Sequence, residues 1–429
     1  MKMNAKKILF PLLFALAGMA FAQSFDVRLE PDPRLDQSVF KSPEIAADSF
    51  IRSCLLASGA DSDSVDQRAA RLENLWQELS AKLPGAQGVE ERADKILAFI
   101  YEKLLSKYDF YQTRVDLAMD KGVYNCVSSA ALFMFFCKKA GIPVVAYECV
   151  RHAFCAVYQG EEPIDVETTN PYGVNPGKKR GEKLSNGKTQ YITVPAKDYA
   201  GRHQVDDRRV VAMIYCNRIS QLQRQKRDDQ TVGLAVDAYQ IQDHSPVSRN
   251  ELDICVGNAS NILTKAEREE EAIAFLKKAE EIFGPAQNWT KRIATNYYNL
   301  VLGKIKSAPY LEGLACLEEN KAWLSKKDCD DLKEYAYATG AQAAANKHDW
   351  KAAIAIADQG LKELPQSKRL YNNKNVYAQN IAIDCHNAAA DLFNSGDKEA
   401  ALQKIRQGLE ELPGNKILLN DLEKMSRAQ

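Results

Sequence analysis

The chain has 429 residues, 45% of them hydrophobic and 27% charged, with 57 Lys plus Arg against 57 Asp plus Glu. That length accommodates two or three domains, and the composition is that of a globular chain rather than a disordered or fibrous one. The formal net charge of zero supplies no field that would draw the chain to nucleic acid or to an anionic membrane surface.

Residues 1–22 combine a basic start ("MKMNAKK"), an apolar run ("ILFPLLFALAGMAF") and a small-x-small site ("AFA") before Gln23. This is the pattern of a secretory signal peptide cleaved after Ala22. The run is short for a membrane span, and no later stretch is longer. The expected location is therefore periplasmic or secreted, with no stable membrane anchor.

Residues 23–42 carry two prolines and little periodicity, and read as an extended arm. Three helices are predicted between 42 and 109, in "SPEIAADSFIRSCLLASGA", "DSVDQRAARLENLWQELSAKL" and "VEERADKILAFIYEKLLSKY", whose apolar residues recur at three and four. Ser42 before Pro43 is a start signal for the first, and Gly59 or Gly85 a stop.

The character changes over 110–203. A loop leads to Cys126 and the apolar helix "CVSSAALFMFFCKKA", closed by Gly141 and Pro143. Then "VVAYECV", "HAFCAVYQ" and "PIDVETT", rich in β-branched and aromatic residues and separated by tight turns, predict adjacent antiparallel strands. "GKKRGEK" (177–183) reads as a solvated loop, and "YITVP" (191–195) as a further strand.

From 204 to 429 the chain is helical and repetitive. "DWKAAIAIADQGLKELP" (349–365) and "DKEAALQKIRQGLEELP" (397–413) align at an offset of 48, and "EEEAIAFLKKAEEIFGP" fits less closely. Each follows a longer helix. Stacked helix pairs closed by a terminal helix over about 414–427 make an α-solenoid, here of tetratricopeptide-like type. "VVAMIYCNRISQLQ" (210–223) is read as the helix joining the two regions, with Tyr215, Asn217 and Arg218 as interface anchors.

Ten cysteines are scattered without CxxC or His/Cys metal spacing, so no metal and no cofactor are expected, and most read as small buried hydrophobes. Cys126 differs. It stands at the start of a helix, where the dipole and an adjacent imidazolium favour a thiolate and where backbone N–H groups can receive an oxyanion. His152, on the first strand-facing position after the tight turn, is the candidate base. Asp165 and Glu167, two apart and about 7 Å from each other along a strand, are the candidates for the acid that orients the ring.

A cysteine opening a buried helix, then a histidine and an acid on successive antiparallel strands, resembles the transglutaminase-like branch of the papain-type cysteine enzymes. The residues that carry the resemblance are "NCVSSAALFMFFCKKAGIP", "HAFCAVY" and "DVETTNPYG", over about residues 90–175. Tyr124 stands where the family has Gly, and Phe154 where it has Trp. The resemblance implies Cys126 as nucleophile and His152 as general acid/base. It leaves the acid open: Asp165 matches by residue type and Glu167, slightly favoured, by position. Tyr124 and Asn125 are candidates to line the substrate cleft.

The expected fold is therefore α+β: an N-terminal arm and helical lead-in (23–109), a papain/transglutaminase-like core of one buried helix on a small antiparallel sheet (110–203), and an all-α tetratricopeptide-like solenoid (204–429). The expected activity is on amide bonds of protein or peptide substrates, with transfer to water or to an amine and a protein partner on the repeats. The alternative is an inactive core serving as a protein-binding scaffold.

Overall fold

The computed structural model describes residues 25–176 and 201–427, with the backbone of two short strands at 182–183 and 189–190. The signal expected over 1–22, most of "GKKRGEK" and all of "YITVP" lie outside the described residues. The chain is α+β and divides into two units, residues 1–262 and 263–429.

In the first unit the arm carries α1 (Ser38–Lys41) and leads to α2 (Ala47–Ser58), α3 (Ser62–Ser80) and α4 (Gly88–Lys103). The start signal at Ser42 is not used. Ser42 is extended at φ −124°, ψ 132°, as sterics before proline favour, and α2 begins five residues later. Asp207 holds this connection, accepting the Ile45 N–H at 2.7 Å while its own N–H donates to the Pro43 carbonyl at 3.1 Å.

Next come β1 (Lys107–Tyr108), α5 (Val115–Lys121), β2 (Val123–Tyr124) and α6 (Cys126–Lys139). Every residue of α6 from Cys126 to Cys137 is buried. A helix apolar all round belongs inside a core. Its start is fixed by a capping box: the Asn125 side chain accepts from the N–H groups of Val127 and Ser128, and the Ser128 hydroxyl takes the Asn125 N–H. Its end is a Schellman motif, with Gly141 N–H on the Lys138 carbonyl and Ile142 N–H on that of Cys137.

The sheet is built from β3 (Val144–Glu148), β4 (Ala153–Gln159), β5 (Glu162–Val166) and, after the pair β6 (Glu182–Lys183) and β7 (Thr189–Gln190), β8 (His203–Val205). Its order is β5-β4-β3-β8, antiparallel throughout. Register puts Ala146, Cys155, Val157 and Val166 on one face, all fully buried, and α6 packs there. This is why α6 is wholly apolar: the sheet covers one side and α2, α4, α5 and α7 (Asp207–Arg224) the others.

The first unit also includes α8 (Val232–Ile241) and α9 (Pro246–Lys265), the last running across the division. It therefore extends past the boundary at 203/204 expected from the sequence. The reason is α7, which buries Val210, Val211, Ile214 and Tyr215 in the same core as α2 and α6. The three residues read as interface anchors serve this unit. Tyr215 is buried, Arg218 donates to the Ala57 carbonyl at 2.9 Å, and Asn217 to the Thr113 hydroxyl at 3.2 Å. Arg28 straps the arm onto α8 through both oxygens of Asp237.

The second unit is a stack of helices: α10 (Glu269–Phe283), α11 (Gln287–Ser307), α12 (Tyr310–Asn320), α13 (Lys326–Ala345), α14 (Trp350–Glu363), α15 (Lys368–Asn394), α16 (Lys398–Glu411) and α17 (Lys416–Arg427). The 48-residue offset reappears in its packing. Asp349 and Asp397 cap α14 and α16 through the N–H groups of Ala352 and Ala400. Gly360 and Gly408 lie where a neighbouring helix closes in: an added Cβ would meet Leu370 at 2.6 Å and Leu418 at 2.9 Å respectively.

Candidate functional site

Cys126 is the first residue of α6 and is 7% exposed. Asn125 uses its side chain on the second and third N–H groups of the helix, and among the described residues no acceptor takes the N–H of Cys126 itself. The thiol and a backbone donor are thus presented side by side.

His152 follows a tight turn in which the Cys149 N–H donates to the His152 carbonyl at 2.8 Å. The turn and β4 carry the ring to the start of α6. Its Nε2 lies 2.7 Å from Glu167 Oε2, and the ring shares a cleft wall with Cys126. The His152 and Glu167 side chains are 13% and 2% exposed. Burial works against a charged ring, but the hydrogen bonds to Cys126 and Glu167 and their negative charge outweigh it, so the imidazole is raised from 6.5 to about 10.

Glu167 is held from several directions. Its Oε1 accepts from the Thr169 N–H at 3.1 Å and the Thr169 hydroxyl at 2.5 Å, which turns Oε2 toward the ring. Its N–H donates to the Gly173 carbonyl. A Cβ at Gly173 would lie 1.9 Å from the Glu167 carbonyl oxygen, so this approach requires glycine. The loop after Glu167 is tied down by Ser129 of α6, whose hydroxyl pairs with that of Thr168 at 2.9 Å. Tyr101 donates to the Thr168 carbonyl at 3.0 Å, and Tyr124 to that of Thr169 at 3.3 Å. Burial and the Tyr124 hydroxyl push the Tyr101 phenol well up, so it stays a neutral donor.

The structure brings together Cys126, His152 and Glu167, with Asn125 beside them. It separates the other two candidates. Asp165 lies inside β5 opposite Ala156, and its carboxylate is forked onto Arg202 at 2.8 and 3.0 Å, away from the imidazole. Tyr124 does not line a cleft; it is buried, with its hydroxyl bonded to Tyr101 and to the acid loop. Both share a physical reason: each has a nearer partner that the sequence spacing does not reveal.

Cys126 and His152 open on a cleft of about 320 Å³, within the size of small-ligand sites. Asn125, Cys126 and His152 line it, as do residues not anticipated from the sequence as cleft residues: Phe110 and Tyr111 upstream of Cys126, Arg151 in the turn, and Arg209, Asn217 and Arg224 along α7. Only the aromatic pair "FY" shortly upstream of the cysteine carried a signal; the α7 residues arrive from about 90 positions away. Cys149 and Cys216 also line the cleft. Cys54, Cys137 and Cys155 are fully buried, and burial pushes their thiols up, so they serve packing. Among the described residues no group of three or more His, Cys, Asp or Glu could hold a metal ion, and no helix is long and apolar enough to cross a membrane.

Compared with models of known protein families and with curated protein sequences, the chain matches none.

Proposed function

We propose that this chain is an exported, transglutaminase-like cysteine enzyme that cleaves or exchanges amide bonds in protein or peptide substrates. The observation that carries the proposal is an imidazole that shares a cleft wall with the Cys126 thiol and pairs at 2.7 Å with a buried carboxylate. In this reading Cys126 Sγ attacks the substrate carbonyl carbon, and the Cys126 N–H receives the developing oxyanion. The C–N bond breaks as His152 hands its proton to the departing amine, leaving a thioester on Cys126. Water, deprotonated by His152, then adds to the thioester carbonyl and releases the acid. An amine taking the place of water would give a new amide. Water is favoured because it needs no second binding site. Glu167 keeps the ring oriented and stabilises its charged form. The papain/transglutaminase-like description of the core rests on this trio together with the buried helix on its antiparallel sheet. The helical stack, with its 48-residue repeat, is the proposed tetratricopeptide-like binding region for a substrate or partner protein.

The test is alkylation of the mature protein by iodoacetamide, read site by site by peptide mass spectrometry. Cys126 should label faster than the cleft thiols Cys149 and Cys216, and His152→Ala should remove that advantage. Equal rates for the three thiols would overturn the enzymatic reading and leave the inactive-scaffold alternative.

A further inference from the structure

The charges that line the cleft do not cancel. Arg209 and Glu148 neutralise each other through a two-pronged bridge at 2.7 and 2.6 Å, and imidazole and thiol form the reacting pair. Two cationic side chains remain, Arg151 and Arg224, both lining the same cleft as Cys126. Both are solvent-exposed. Among the described residues neither has an acidic partner.

These guanidinium groups are nevertheless oriented. Arg224 sits over the Tyr111 ring at 4.7 Å and Arg151 over the Phe110 ring at 5.7 Å. The two rings meet edge to face at 5.2 Å. The Phe110 carbonyl accepts from the Asn125 side chain, which ties this aromatic wall to the start of α6. Stacking over a ring holds a guanidinium while leaving its N–H edge free for a planar anion, and a carboxylate is the planar anion that a peptide carries.

We infer that the cleft selects substrates bearing a carboxylate close to the bond that Cys126 attacks, held between Arg151 and Arg224. This inference rests on the enzymatic reading above and names its substrate class. The carboxylate comes from an acidic side chain or from a peptide C-terminus; both present the same group.

The test uses full-length mature protein and two reagents with the same leaving group: iodoacetate, which carries a carboxylate, and iodoacetamide, which does not. The absolute iodoacetamide rate at Cys126 reports on the activated thiol. The ratio of the iodoacetate rate to the iodoacetamide rate reports on the arginines, because any change in the thiol itself divides out. Arg151→Gln/Arg224→Gln should lower the ratio at Cys126 about tenfold, with the ratio at Cys329 in the second unit as reference. An unchanged ratio overturns the inference whatever the absolute rate. Bromoacetyl-glutamate α-amide, whose one carboxylate is on the side chain, and bromoacetyl-alanine, whose one carboxylate is terminal, then separate the two sources. A faster rate for either over bromoacetyl-alanine amide, lost in the double variant, supports the site, and equal rates for all three overturn it.

Discussion

Each unit contains a histidine bonded to a carboxylate. In the first, His152 Nε2 is 2.7 Å from Glu167; in the second, His386 Nδ1 is 2.6 Å from Asp421. Each is also near a cysteine in sequence or space, since Cys385 directly precedes His386. The outcomes differ because of geometry. Successive helix residues point about 100° apart, so Cys385 turns under Gly408 while His386 turns to Asp421. The His386 side chain is 42% exposed, that of His152 13%. A histidine–acid pair is therefore an ordinary packing device. It becomes a candidate for chemistry only when a third element, here the start of α6, brings sulfur to the same cleft wall as the ring in a sheltered place.

Exchanging the two histidines breaks the comparison most sharply. His152→Ala should slow amide turnover and Cys126 alkylation by about 10²–10⁴-fold, the range of a positioned acid–base group. His386→Ala should leave both within about twofold. Peptide-resolved alkylation kinetics of the two variants decides it.

Glu167→Gln asks what the acid contributes. Its charge helps keep the proton on His152 up to about pH 10. Losing that charge should lower the ring's value toward the ordinary 6.5, visible in the nitrogen chemical shifts of a pH titration, and cost about 10–100-fold in turnover, less than a misdirected tautomer can cost. The sign carries over to stability. A raised value means that the stabilisation is complete below about pH 6.5 and is lost as pH rises through about 10. The urea midpoint advantage of the native chain over Glu167→Gln should shrink over that window.

A close-packed glycine from each unit extends the comparison to stability. Gly173→Ala meets backbone, which cannot step aside, and should destabilise by about 3 kcal/mol or more while displacing the acid loop. Gly408→Ala meets the ends of the Leu418 and Cys385 side chains, which can rotate, and should cost about 1 kcal/mol with no effect on Cys126. Urea unfolding of both variants, together with Cys126 alkylation, separates them.

Much of this was legible in the sequence, for identifiable reasons. The apolar run after Cys126 and the three β-rich segments announce a buried helix on an antiparallel sheet, because periodicity and burial are local signals. The order Cys126, His152, acid was legible as well. The choice between Asp165 and Glu167 was not settled there, since alternation sets both on one face. It is decided where β5 stops at Val166 and the next residue turns out of the pleat, while Arg202 captures Asp165. The cleft wall was least legible. Phe110, Tyr111 and Arg224 meet only through tertiary packing, and α7 reads equally well as a linker until its apolar positions find α2 and α6. The inward turn of Tyr124 depends on Tyr101 and Thr169, which no spacing rule connects to it.

The cap at Asn125 has a consequence beyond helix stability. It allots the amides of the first turn: two go to its own oxygen, and one stays open beside the sulfur. Were the helix to begin a single residue earlier, the cap would fall to Tyr124, whose side chain cannot accept from the amides of the first turn, and the cap that fixes the start at Cys126 would be lost. Nucleation of this helix and alignment of its reactive atom are thus one event, so a chain that folds with the right start is already aimed.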